Sequence, residues 1–250
     1  MNARAWRESA RVELLLFVRE PMTVVFALAM PIVFILVLGG VFGDTPDANG
    51  AVFRGVGGST YYTPAYIGLA AASVGLVIIP THLAAYRERG VLRRIRAAGL
   101  PVSAVLLGQV AVALLLALVS GVVVTAVSFG VYAPEAPVDP WGVLVAAVIG
   151  ALAFALLGLA LGSVLPSSRA AQGAGVLLWF LVLILGGAGP PPEVLPDAMG
   201  TIGDYTPLRP LIIALQDPWF GNGWNLSRLG VLVAVGAACW GVAAYRLSRD

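Results

Sequence analysis

Six runs of about twenty apolar residues, at roughly 23–43, 63–83, 102–130, 142–165, 171–189 and 227–245, leave this chain of 250 residues few ways to fold. An α-helix rises about 1.5 Å per residue, so each run is long enough to cross a hydrocarbon core about 30 Å thick. Backbone polar groups in lipid must be satisfied within the chain, which permits only helices or closed barrels. Continuous apolar runs lack the two-residue alternation of a membrane barrel. The expected fold is all-α and integral to the membrane, with six transmembrane helices. Charged residues make up 11% of the chain, where a soluble domain carries about 25%. Pro31 predicts a kink in the first span, and the overlong third span predicts a tilt. The first run is too long for a signal-peptide core and follows Glu8, Glu13 and Glu20, so it reads as a retained span.

The arginines give an orientation. With the N-terminus inside, twelve fall on inside segments: Arg4, Arg7, Arg11, Arg19, Arg87, Arg89, Arg93, Arg94, Arg96, Arg169, Arg246 and Arg249. Three fall outside, Arg54, Arg209 and Arg228, in the company of most of the acids. This bias predicts a multi-pass protein of the plasma (inner) membrane with both termini cytoplasmic. A net charge of +2 over such a chain reflects topology and gives no reason to expect nucleic acid.

Residues 1–22 form a unit of their own, and 23–250 hold the six spans. In the first unit Trp6, Ala10, Leu14 and Phe17 recur at helical spacing, which predicts an amphipathic helix lying along the membrane lipid. The outer segment, about 190–226, carries seven prolines. Thr206-Pro207 reads there as an N-cap and first helical position. "LRPLIIAL" at 208–215 is apolar but too short to span, so a re-entrant or surface helix shielded by protein is expected. Trp219 and Trp224 read as an aromatic belt at the outer interface.

Chemistry is sparse. No phosphate-cradling GxxxxGK[ST] loop occurs, and no GxSxG, HExxH or EF-hand pattern. Cys239 and His82 are the sole cysteine and histidine, so no catalytic or metal site is expected. The spans hold almost no ionisable side chain of the kind that relays protons or sodium at the membrane midplane. Gln109, inside the third span, is expected to hydrogen-bond to a neighbouring helix. Gly158 and Gly162 are expected to let helices pack closely within the chain. A transporter with this composition has no energy source of its own.

One inside loop stands apart. "YRERGVLRRIRAAGLP", 86–101, holds five arginines. Taken as a helix over about 86–98, it places Val91, Leu92, Ile95 and Ala98 on one face and Arg89, Arg93 and Arg96 on another. Glu88 has no basic residue three or four positions on. Gly90 weakens the helix, and Gly99 and Pro101 end it. The stretch reads either as a basic loop on anionic lipid or as a docking helix for a cytoplasmic partner.

At this point the chain resembles the membrane subunit of an ABC-2 type exporter, in the branch of daunorubicin-resistance and related drug-export permeases. "RERGVLRRIRAAGLP" (87–101) is similar to that family's E-R-E-x-G-T-L-x-R-L-R-x-x-P-L stretch after the second span. "LGLALGSVLPSSRAAQG" (157–173) resembles its small-residue fourth span and the Ala-Gln opening of the fifth. "GAGPPPEVLPDAMGTIGDYTPLRPLIIAL" (187–215) resembles its Pro-rich outer segment. The departures are Val91 in place of Thr, Gly99-Leu100-Pro101 in place of Pro-Leu, and "LILGGAG" without the usual Ser-Gly.

The resemblance implies a permease subunit that itself binds no cofactor and is no enzyme. ATP and Mg would be held by two copies of a separate ATP-binding subunit. A second six-span permease, with an identical chain as the expected partner, would complete a dimer. The loop would be the coupling helix, with Arg87, Glu88, Arg89, Gly90, Leu92, Arg93 and Arg94 docking on the ATPase. The cargo implied is a hydrophobic or amphipathic drug, secondary metabolite or lipid-like compound. The alternative is an ion-gradient-driven secondary transporter or channel. An intramembrane enzyme or a membrane scaffold stands third.

Overall fold

A computed structural model describes residues 21–46, 52–99 and 101–249. Helix α1 runs through Pro21–Val24, a π-turn at Val25–Ala29 and Met30–Phe42. Helix α2 is continuous over Gly58–Glu88 and contains a second π-turn, Val74–Ile78. There follow α3 (Val91–Ala97), α4 (Val102–Tyr132), α5 (Pro140–Val164), α6 (Ser168–Leu185), α7 (Asp197–Asp204), α8 (Leu208–Trp219) and α9 (Leu226–Arg249). No strand occurs among the described residues. Helices α1, α2, α4, α5, α6 and α9 are the six long and apolar enough to cross a membrane. The expected N-terminal interfacial helix lies outside the described residues, apart from the start of α1.

Five of the six spans sit within a few residues of where the apolar runs place them. The second is longer, 58–88 against an expected 63–83, because its ends carry polar groups that protein, not lipid, surrounds. Helix α2 is the buried mast of the bundle, packed by α1, α4, α5, α6 and α8, with Tyr61, Tyr62, Tyr66 and Leu69 at 2% exposure or less. Several of its polar groups find partners inside, though the buried Tyr66 hydroxyl has none among the described residues. The Tyr62 hydroxyl donates to Gly189 O at 2.8 Å, Trp179 Nε1 donates to Ser73 Oγ at 2.7 Å, and the Thr63 and Ser128 hydroxyls pair at 2.6 Å. Helix α4 has 31 residues, about 46 Å at 1.5 Å per residue.

The proline signal in α1 takes a definite form. Pro31 and Pro80 each stand two residues beyond a π-turn, where Met30 N–H bonds back to Val25 O and Ile79 N–H to Val74 O. A proline lacks the N–H that would hold the ladder together and its ring crowds the preceding turn, so the helix widens just before it. In α2 the carbonyls nearest the missing Pro80 donor are those of Gly75 and Leu76. Each is covered by a glycine from another helix: a Cβ on Gly158 of α5 would overlap Gly75 O, and one on Gly175 of α6 would overlap Leu76 O. Gly162 sits against Pro80 and Leu83, where a Cβ would stand 2.9 Å from the Leu83 Cβ. Gly158 and Gly162 thus pack within the chain, as expected, with backbones close enough for Cα–H···O contacts.

At the opposite end from α3 the outer segment folds back onto the bundle. Helix α8 is the expected short apolar helix, and protein shields it: Leu208, Leu211, Ile212, Ala214 and Leu215 are at most 2% exposed, against α2, α5 and α9. Two expectations fail here. Thr206 does not cap α8, which opens at Leu208; its hydroxyl donates to Gly203 O at 2.7 Å, because α7 ends close enough to capture it. Trp219 is no belt residue. It is 2% exposed and donates Nε1–H to Glu135 O at 2.9 Å, drawn inward by the buried face of α8. Trp224 stays at the surface and donates to Asp139 Oδ2 at 2.6 Å.

Candidate functional site

The arginine-rich loop does not form one helix over 86–98. Helix α2 stops at Glu88, Gly90 takes a left-handed conformation (φ +67°), and α3 restarts at Val91. Nothing lies within 4 Å of a Cβ built on Gly90, so its value is conformational. Gly99, at φ +74°, ends α3 in the same way.

The seven residues singled out by sequence separate into two groups. Arg87 turns inward: Nη1 donates to Gly162 O at 3.1 Å and Leu165 O at 3.0 Å, covering the last carbonyls of α5. Glu88 faces the next turn, where Oε2 accepts from Ser168 N–H at 3.1 Å and from the Ser168 hydroxyl at 2.9 Å. A carboxylate there is favoured by the positive end of α6. Adjacent residues of α2 therefore hold both sides of the α5–α6 turn. Leu92, 4% exposed, anchors α3 on the bundle. The remaining arginines, Arg89, Arg93 and Arg94, are exposed, and Arg94 Nη2 donates only to the nearby Arg89 O, at 3.2 Å. Glu88 is the one carboxylate of the 86–101 stretch against five arginines, so the exposed surface is cationic.

Two contributors escaped sequence reasoning. Arg96 Nη2 donates to Leu247 O at 2.9 Å, tying α3 to the end of α9. Ser167 caps α6 by accepting from Ala170 N–H at 3.2 Å, which the Pro-Ser-Ser-Arg spacing does signal. Gln109 departs from expectation too: it is fully buried in α4, and neither amide atom has a hydrogen-bond partner among the described residues.

The ends of α2, α4, α5, α6 and α9 thus meet around α3. Described arginines are polarised accordingly, with Arg87, Arg89, Arg93, Arg94, Arg96, Arg169 and Arg246 at this end and Arg54, Arg209 and Arg228 at the other. Among the described residues no group of His, Cys, Asp and Glu is arranged to hold a metal ion. This end offers a short cationic ridge connected to five spans. Helix α3 is joined to α2 and α4 through the chain and to α9 through Arg96, while Arg87 and Glu88 at the end of α2 bond to the α5–α6 turn.

No curated protein matches the chain. Residues 4–220 match the ABC-2 type transporter family, a stretch that takes in the loop, α3 and every helix as far as α8. With most of its length matched and six membrane-crossing helices, the chain belongs to the ABC-2 type transporter family, as a multi-pass membrane permease domain.

Proposed function

We propose that this chain is the permease subunit of an ATP-driven exporter, and that α3 with the preceding turn is the helix through which a separate ATP-binding subunit drives it. One observation carries the reading: an exposed cationic ridge sits beside side chains that bond the end of α2 to the α5–α6 turn and α3 to α9. Arg89, Arg93 and Arg94 supply charge for an acidic groove on the ATPase. Arg87, Glu88, Gly90 and Leu92 set the angle and seat of the ridge. The arginine partition supports a cytoplasmic position for this end and for both termini.

Two ATP-binding subunits hold ATP and Mg, and a second copy of this chain completes the path. Nucleotide closure pushes α3, and the push opens a route between the paired permeases. The cargo is a hydrophobic or amphipathic compound, in keeping with drug or metabolite export. The absence of midplane carboxylates in the spans leaves a gradient-driven cycle without a relay. Proteoliposomes holding the permease and its ATPase test this. Export of an apolar dye that requires ATP hydrolysis supports the reading. Flux driven by a proton or sodium gradient with no ATPase present overturns it in favour of secondary transport.

A further inference from the structure

Between α4 and α5, towards the end away from α3, lies a lateral groove of about 520 Å³. Its walls are Leu118, Val122 and Phe129 of α4 and Leu144 and Ala147 of α5. Gly121 leaves the floor open, since a Cβ there would stand 3.2 Å from Ile67 Cγ2. The mouth faces outward from the bundle, with Val122 69% and Leu144 44% exposed.

Two polar side chains touch the groove, and both are committed elsewhere. The Thr125 hydroxyl donates to Gly121 O at 2.8 Å, and Trp219 Nε1 donates to Glu135 O at 2.9 Å. Sites for small polar molecules keep a few convergent donors or acceptors for orientation. This one keeps none, so its occupant is held by hydrocarbon contact alone. Leu118 and Phe129 stand eleven positions apart on one helix, a rise of about 16 Å and close to half the hydrocarbon core. The groove ends at the 133–139 connection, where Glu135 is exposed and Asp139 is half-buried, its carboxylate accepting from Gly142 N–H and Trp224 Nε1.

We propose that the groove holds one acyl chain of a phospholipid from the leaflet at the α8 end, with an amine-bearing headgroup beside Glu135 and Asp139. Depth, direction of the mouth and lack of free polar groups select an acyl chain. The sign of the charge at the rim selects ethanolamine over an anionic headgroup. The site is independent of the coupling ridge and of any ATPase.

The full chain in nanodiscs containing phosphatidylethanolamine with a diazirine on its acyl chain provides the test, with labelled peptides mapped by mass spectrometry. Groove peptides are expected to label several-fold more than the exposed Val231 and Val242 face of α9. Ala147→Phe should bring labelling down to that background, and Thr125→Leu, a smaller filling that any folding defect in the first variant would not affect, should reduce it in part. Phosphatidylglycerol with the same diazirine should label the groove less. Labelling equal to the α9 face, or unchanged by both fillings, overturns the proposal. So does a Val122→Cys disulfide joining two copies in high yield, which would make the groove an interface between permeases.

Discussion

The carboxylate of Glu88, last residue of α2, accepts two hydrogen bonds from Ser168, first residue of α6, at 3.1 Å from the backbone and 2.9 Å from the hydroxyl. Eighty positions separate the two residues. This geometry makes Glu88 a clamp between the end of α2 and the α5–α6 turn, next to the cationic ridge. Glu88→Ala should therefore lower the melting temperature as well as transport, because the first turn of α6 loses its acceptor. Arg93→Glu, on the exposed ridge, should leave melting unchanged and weaken ATPase association about tenfold or more, a free-energy step of about 1.4 kcal/mol. Thermal melts beside co-purification yields separate the two effects.

The glycine contacts on the α2 π-turn predict a sharp contrast within one helix. Gly175→Val puts side-chain atoms onto Leu76 O, and backbone cannot yield as a side chain does, so a loss of about 3 kcal/mol or more is expected. Gly158→Leu should behave alike against Gly75 O. Gly173→Ala, two positions away with nothing within 4 Å, should gain about 0.5–1 kcal/mol from helix propensity. Monodisperse yield and melting temperature in detergent are the readouts.

At the other end Arg54 straps the segment before α2 onto α8. Its Nη2 donates to Asp217 Oδ1 at 2.5 Å, Nη1 donates to Gln216 Oε1 at 3.1 Å, and its guanidinium sits 5.6 Å from the Phe220 ring centre. Arg54 also adopts φ +57°, a cost that these contacts offset. Arg54→Ala leaves Asp217, 7% exposed, without its cation and should cost about 2–3 kcal/mol. Arg54→Lys keeps the charge but not the fork, and should recover only part of that. Equilibrium unfolding in detergent measures both.

Asp139 gives a pH signature. Its carboxyl is held below the usual 3.8, first by the N–H of Gly142 and then by the indole of Trp224. A carboxylate with a lowered folded value stabilises the folded chain at neutral pH. That contribution fades as pH falls through the ordinary aspartate range and on through the lowered value. Melting temperature should therefore drop over this range more steeply in the parent than in Asp139→Asn, where the cap no longer titrates.

The membrane makes much of this fold legible. Lipid demands an apolar run for every span, so α1, α4, α5, α6 and α9 are visible in hydropathy, and α8 in the brevity of "LRPLIIAL". The central helix was cut short because hydropathy reads Tyr61, Tyr62 and Thr63 as lipid-averse, while neighbouring helices satisfy them. At the site, residue types marked the ridge but not its division of labour. Arg87 and Arg93 are the same residue in sequence; only the fold aims one at the α5 carbonyls and leaves the other exposed. Gly90 was visible as a weak point, whereas a left-handed break is a property of the backbone path. Trp219 was misplaced because burial by distant helices leaves no local signal, and Gln109 is buried in its span but makes no hydrogen bond among the described residues.

The central claim is that the cationic ridge seats an ATP-binding subunit, and the most direct test is affinity purification of the tagged full chain in mild detergent with mass spectrometry of its companions. The account predicts a stoichiometric soluble protein with a GxxxxGK[ST] loop, retained by the parent and depleted about tenfold by Arg93→Glu. Recovery of the chain alone, even after chemical crosslinking, or a companion ATPase bound equally by the parent and by a combined Arg89→Glu, Arg93→Glu, Arg94→Glu variant, would contradict it.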